Sequence, residues 1–288
     1  MTGLLMFRPD LSRAAAEHEL SGPDSRWLNL PDARVHYRTA GTGPTVVLLH
    51  NSGMWGGVWD YWLPILSEHF TVVVPDLPGA GLTGPAADND YSMEALTKFV
   101  ATFVKATCKG PVHVVGLSLG GQLAWRLALQ EASLVKSLVL INPTGYPDKK
   151  LPKVFKLARG RMGWILKYIA SEKMLRNNLS ELWGSGAPIS AEFLERLVLS
   201  QRRSGNRKAF LRFLRTDNKS LHEQIPNITQ PVQLQWCEMC GPQQFTRDLP
   251  NVELVDFSDF GHIPTLEAPE QTSSAAIRFL EAQEQENA

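Results

Sequence analysis

Cysteine is scarce in this chain, with three in 288 residues. An odd number in a chain of this length builds no disulfide framework. Long apolar runs are missing as well: none approaches the roughly 20 residues that a membrane-spanning helix needs. The opening stretch MTGLLMFRPDLSRAAAEHEL has a short apolar patch interrupted at Arg8. It lacks the basic start, long apolar centre and small-residue cleavage site of a secretory signal. There is no net charge, with 29 Lys and Arg against 29 Asp and Glu, and there is no internal repeat or low-complexity tract. These absences predict a soluble, cytoplasmic protein without a membrane partner; they do not set an oligomeric state. What is present suffices for a packed core, since 43% of the residues are hydrophobic and 20% charged, unlike the composition of disordered chains. One large domain, or a core with an inserted subdomain, is expected at this length.

The charge is unevenly spread. Residues 146–226 hold 17 Lys and Arg against 7 Asp and Glu, an excess of +10, so the remainder carries 12 and 22 and is acidic by the same margin. A basic excess of this kind has two readings. It is a solvated helical surface, or it attracts an anionic ligand or carrier. Nucleic acid is not an expected partner, because no recognised binding motif accompanies the basic residues.

Short apolar runs rich in β-branched residues recur at TVVLLH (45–50), FTVVVPDL (70–77), VHVVGLS (112–118), SLVLIN (137–142), VQLQW (232–236) and VELVDF (252–257). They are nearly continuous rather than alternating, as expected of strands covered on both faces. Helical patterns lie between and after them. SMEALTKFVATFVKAT (92–107) opens on a capping serine, LGGQLAWRLALQEA spans 119–132, and a last helix opens at Pro269. Strand–helix alternation predicts an α/β fold with a mostly parallel sheet and helices on both faces. RWLNLPDARVHYRTAG adds a hairpin with its turn at Pro31-Asp32. The alternation breaks at 147–226, where helices are expected at 152–176, 190–204 and 206–216 and no strand is visible. The expected organisation is a core in two parts, 1–146 and 227–288, with a helical lid inserted at 147–226.

The sharpest motif is HVVGLSLGG at 113–121: a β-run, then Gly116-Leu117-Ser118-Leu119-Gly120, then a helix. G-x-S-x-G in this setting is a tight turn that presents the serine hydroxyl above a sheet, at the positive end of a helix dipole. Four further motifs stand around it in chain order, VVLLHNSGMWGGVWDYWLPIL and VVVPDLPGAGLTGP before it and SLVLINPTGYP and DFGHIPTLEAPE after it. On these residues the chain resembles the α/β-hydrolase superfamily over nearly its whole length. The resemblance implies Ser118 as nucleophile and His262 as the base that takes and returns its proton. It also implies an oxyanion hole from the backbone N–H groups of Leu119 and Ser52, with His50 bracing that loop. Asn51 stands where the family usually has Gly; asparagine tolerates left-handed backbone angles and puts an amide near the site.

The family's third catalytic residue is not where expected. Aligned on Trp236, the usual acid position is Cys240, within the stretch WCEMCGP. A second position used by some members, after the strand at 137–142, holds Asn142, which makes Asn142 the candidate to orient His262. Asp259, Asp148 and Glu238 are fallback acids near plausible loops. Cys237 and Cys240 invite a redox or zinc reading. Gly241-Pro242 opens no clear helix to lower a thiol pKa, and no second ligand pair stands at zinc spacing, so neither a metal nor a cofactor is expected. Asn51, Trp55, Trp164, Tyr168 and Trp183 are the candidate substrate-binding residues; at helical spacing the lid residues Trp164, Tyr168 and Trp183 more often serve simple packing. Three functions stay open. The first is a Ser–His hydrolase for a small or medium organic ester, thioester or activated C–C bond, the substrate being anionic or carrier-bound if the basic excess serves binding. The second is a lyase or cyclase that needs a base but no acyl-enzyme. The third is a ligand-binding receptor on a hydrolase scaffold.

Overall fold

The computed structural model describes residues 9–147, 156, 158–160, 172–184, 188–237 and 244–285. Its centre is one eight-stranded sheet: β1 (Ser25–Leu30), β2 (Ala33–Ala40), β3 (Thr45–Leu49), β4 (Thr71–Pro75), β5 (Val112–Leu117), β6 (Val135–Ile141), β7 (Val232–Trp236) and β8 (Val252–Asp256). The spatial order is β1-β2-β4-β3-β5-β6-β7-β8. Only β2 runs against its neighbours; every pair from β4 to β8 is parallel. The expected hairpin is β1–β2, closed by the pair Leu30 and Ala33.

Successive strand residues point to opposite faces, and the packing divides accordingly. Val47, Leu49, Val114, Leu138 and Leu140 join one cluster with helices α3 (Met93–Thr107) and α4 (Leu119–Gln130). Val46, Leu48, Val115, Val139 and Ile141 join another with α2 (Trp62–Ser67) and α10 (Pro269–Gln285). Both faces are therefore dry, which is why these strands read as unbroken apolar runs. Ser92 caps α3 through the N–H of Ala95 at 3.2 Å, as its position in the sequence predicts. VELVDF departs from the expectation of double coverage: β8 is an edge strand, and Leu254 is 48% exposed.

Between β6 and β7 the described residues contain helices and no strand: α5 (Glu172–Ser180), α6 (Ala191–Arg202) and α7 (Asn206–Arg215). The last two match the helices expected at 190–204 and 206–216; most of the one expected at 152–176 lies outside the described residues. Arg196 of α6 meets Asp60 at 2.7 Å, and Gln201 Nε2 donates to the Gly53 carbonyl at 2.6 Å. From the other side, the N-terminal arm before α1 (Arg13–Leu20) is stitched to the insertion by Leu11 N–H to Arg202 O at 2.6 Å and Ser204 N–H to Leu11 O at 2.9 Å.

Asp76, just past β4, knots the loops on this edge together. Its carboxylate accepts hydrogen bonds from the N–H groups of Gly56 and Leu82, both at 2.8 Å, and bonds His36 Nδ1 at 2.8 Å. Burial pushes the carboxyl up, but the His36 bond and charge and the Gly56 donor outweigh it and hold it well below the usual carboxylate range. A depressed folded pKa contributes stability above the unfolded value of about 4, and that contribution drains away as the pH falls. Urea unfolding of wild type is therefore expected to show stability declining below about pH 4. Asp76→Asn should be less stable at neutral pH and should lose part of that acid slope; an unchanged slope contradicts the assignment.

Candidate active site

The C-terminal edge of a parallel sheet is where loops can gather functional groups, and the loops after β3, β5, β6, β7 and β8 meet there. Ser118 follows β5 and caps α4 with φ 54° and ψ −109°. Such a backbone costs a non-glycine residue about 1–3 kcal/mol and persists only where its surroundings enforce it. Here a Cβ on Gly116 would lie 2.3 Å from the Gly120 carbonyl carbon, and one on Gly120 would lie 2.0 Å from Leu49 O. Strand, turn and helix touch backbone to backbone, and only glycine fits at both flanks. Ser118 N–H donates to Ile141 O at 2.9 Å, which ties the turn to the end of β6. The side chain is 6% exposed.

After β3, His50 is buried and Leu77 N–H donates to its Nε2 at 2.9 Å, while its Nδ1 bonds Asn51 O at 2.9 Å. Nε2 is thus the acceptor and Nδ1 carries the proton. Burial lowers the pKa against the opposing Asp76 charge, so the ring stays neutral and acts as a fixed brace for the loop. Asn51 is 4% exposed, and its Oδ1 is a buried acceptor with no hydrogen-bond partner among the described residues. Asn51, Ser52 and Leu119 border a small cleft open to solvent, together with Met54, Tyr91 and Phe210.

Helix α8 (Phe245–Asp248) precedes β8, and His262 lies between β8 and α9 (Pro264–Glu267). Desolvation by the surrounding protein holds its imidazole down at about 4, so it is neutral at ordinary pH. Its N–H donates to Leu182 O at 2.7 Å and its carbonyl accepts from Asn142 Nδ2 at 3.2 Å. Asn142 therefore grips the backbone of the histidine loop, and its Oδ1 already accepts from Cys237 N–H at 2.9 Å. At φ 43° and 2% exposure, it is a buried bridge between the loops after β6, β7 and β8. The orientation it supplies is of the main chain of His262.

The other candidates fall as follows. Trp55 is 4% exposed and stacks on Phe193 of α6 with ring centroids 5.3 Å apart, packing between loop and insertion. Trp183 is half-buried against the same apolar cluster. Trp164, Tyr168, Cys240, Glu238 and Asp148 lie outside the described residues. Cys237 is buried, and Asp259 is exposed. Sequence reasoning missed Glu267, a buried carboxylate beneath the histidine loop, and Asn206, whose Nδ2 donates to Gly81 O and Ser200 O at 3.0 and 2.8 Å. A Glu five residues after the histidine was the one local signal for the former.

A Ser–His–carboxylate chain exists at the opposite end of the strands, away from Ser118. Ser137 Oγ meets His113 Nδ1 at 2.7 Å, and His113 Nε2 meets Glu284 at 2.6 Å. Ser137 is fully buried and His113 nearly so, at 1% exposure. No substrate reaches that hydroxyl, and the chain serves to dock α10 onto the sheet.

The eight-stranded order with one reversed strand, the strained serine turn and the histidine loop after the last strand together define an α/β-hydrolase architecture. A model of the alpha/beta hydrolase fold family matches residues 44–173. A pimeloyl-[acyl-carrier protein] methyl ester esterase of Nitrosomonas europaea is 31% identical over 251 residues, covering 83% of this chain and 96% of that protein. The human monoacylglycerol lipase ABHD6 is 25% identical over 280 residues, covering 90% and 82%. Among solved structures, a serine hydrolase involved in carbazole degradation superposes with a TM-score of 0.76 over 90% of this chain and 98% of its own, at 21% identity. The chain belongs to the α/β-hydrolase superfamily, and it is an enzyme of the serine-hydrolase type.

Two outcomes are expected from this geometry. If His262 must be neutral to work, the acid limb of kcat/KM should lie near pH 4, well below the usual histidine value of about 6.5; a limb near 6.5 would show that the ring is solvated. Asn142→Asp should lower thermal stability and activity together, because a carboxylate oxygen would face the His262 carbonyl where an N–H donates now. A gain in hydrolysis would instead show that position 142 acts on the imidazole itself.

Proposed function

We propose that the protein is an esterase of small or medium acyl esters that works through an acyl-enzyme, with Ser118 as nucleophile and His262 as base. The observation that carries this reading is the enforced φ of 54° at Ser118, which holds a hydroxyl at the end of a helix dipole. In the proposed cycle Ser118 Oγ attacks the ester carbonyl carbon while His262 accepts its proton. The oxyanion is met by the N–H groups of Leu119 and Ser52. Collapse breaks the bond to the alkoxy group, which leaves as an alcohol with the proton from His262. Water, deprotonated by the same ring, then releases the acid and restores Ser118.

Esters are favoured over thioesters and activated C–C bonds because the relatives at 31% and 25% identity are named as a methyl ester esterase and a monoacylglycerol lipase. An acyl group borne on an acidic carrier is supported by the +10 excess of residues 146–226 and by the first relative's carrier-linked substrate. In this reading the helical insertion acts as a lid whose inner face and the cleft beside Asn51 select the acyl chain. The second reading, elimination or ring closure by His262 without an acyl-enzyme, is supported by Cys240 and Asn142 at the usual acid positions. A weakly basic, neutral histidine moves a proton without the charge support that an acyl-transfer imidazolium needs.

Hydrolysis of p-nitrophenyl butyrate separates the two. Esterase chemistry predicts that Ser118→Ala lowers kcat at least about 10³-fold and that a burst of p-nitrophenol precedes steady turnover in wild type. Residual activity in Ser118→Ala alongside its loss in His262→Ala would overturn the esterase and favour the proton-transfer reading.

A further inference from the structure

We infer that Glu267 is a positioning residue that clasps the end of α5 to the histidine loop, so that seating of the insertion and placement of His262 are one event. The inference rests on the proposed role of His262 as base. Glu267 closes α9 and is 4% exposed. One carboxylate oxygen, Oε1, accepts from Gly261 N–H at 2.9 Å, the residue before His262. The other, Oε2, accepts from Gly184 N–H at 2.8 Å, a few residues past α5. One buried carboxylate thus joins two segments far apart in sequence. Bonds from N–H to an ionised acceptor are stronger than neutral ones, and among the described residues no Lys or Arg pairs with Glu267. Its charge is directed at these two backbone donors.

A third bond closes the clasp, from His262 N–H to Leu182 O at 2.7 Å. Two glycines make this approach feasible. A Cβ on Gly184 would lie 2.4 Å from Gly261 N and 2.5 Å from the Phe260 carbonyl carbon; one on Gly261 would lie 2.2 Å from Leu182 O. The two main chains run in direct contact, and neither position admits another residue without parting them. With Asn142 Nδ2 on the His262 carbonyl, the histidine is gripped by its own N–H, its own carbonyl and the N–H before it. Two of those three grips reach the insertion, one directly at Leu182 and one through Glu267. Lifting the segment at 182–184 therefore frees the backbone that carries the base.

Nothing in this arrangement has Glu267 touch substrate, so the test must distinguish positioning from mere stability. The full-length protein is compared with Glu267→Gln and Gly184→Ala, using p-nitrophenyl butyrate at a temperature well below each variant's Tm. Glu267→Gln turns one acceptor into a donor facing an N–H; Gly184→Ala breaks the same clasp from the insertion side and leaves the carboxylate intact. Both should lower kcat by about 10- to 100-fold, the cost of a misplaced catalytic group, with KM changed far less. Amide hydrogen exchange at 182–184 and 261–262 should accelerate in both. An unchanged kcat with only a lowered Tm, or wild-type exchange at those amides, overturns the inference. Should Glu267→Gln fail to fold, Gly184→Ala alone decides by the same two readouts. Full hydrolysis in Ser118→Ala and His262→Ala would overturn the functional reading instead, and the exchange rates would then judge the clasp separately.

Discussion

The contact that the rest of the site depends on is the meeting of three backbones where β5 turns into α4. Gly120 lies against Leu49 O and Gly116 against Gly120, so the helix starts almost inside the sheet. That closeness forces the left-handed backbone at Ser118 and brings the loop after β3 beside the first turn of α4, where the N–H groups of Leu119 and Ser52 are proposed to converge. It also sets how the remaining loops reach the serine. Ser118 N–H is spent on Ile141 O, the residue before Asn142, and Asn142 in turn holds the main chains of Cys237 and His262. Proposed nucleophile and base are thus connected through one buried asparagine rather than through independent loops.

An asparagine at this place has a physical logic that a carboxylate lacks. Position 142 must donate to one main-chain carbonyl and accept from one main-chain N–H at once. A primary amide does both; a carboxylate only accepts. It must also take φ 43°, which asparagine tolerates better than most residues. The amide therefore satisfies a junction of three loops, and the junction places the histidine by its backbone. Glu267 fits the same scheme from below the loop, since two N–H donors are what a carboxylate can serve.

Much of this was legible in the sequence, for reasons of range. Strands covered on both faces need apolar residues at every position, so β3, β5 and β6 stand out as continuous runs; the capping Ser92 and the opening Pro269 mark helix starts within a few residues of themselves. Ser118 is legible because strand, glycines and helix are adjacent along the chain. The edge position of β8 is not, because which strand lacks a neighbour depends on the order of the whole sheet. Glu267 reads locally as an acidic residue in a short helix, and its second partner is Gly184, 83 residues away. Trp55 looks like a binding residue beside the oxyanion loop until Phe193 of α6 is found stacked on it. Residue type alone would also have admitted Ser137, His113 and Glu284 as a triad, although burial closes that hydroxyl to any substrate.

The same burial that keeps the histidine in place limits what it can do as a base. A ring held down at about 4 is ready to accept a proton at neutral pH but holds it weakly, and each pKa unit below the solution value is about 1.4 kcal/mol against the imidazolium. Acyl transfer passes through that imidazolium, so the cost enters the barrier unless charge elsewhere offsets it. The oxyanion forming beside Ser118 is itself such a charge, present only in the transition state. A cation that is helped by a negative charge growing only as the reaction proceeds is stabilised when it is needed, which is the differential binding that catalysis requires. Under the proposed esterase chemistry, substrates whose leaving groups ask little of the acid are expected to react fastest. That chemistry ties the rate to the alignment of hydroxyl, ring and oxyanion donors, and so to the backbone contacts that hold the three loops together.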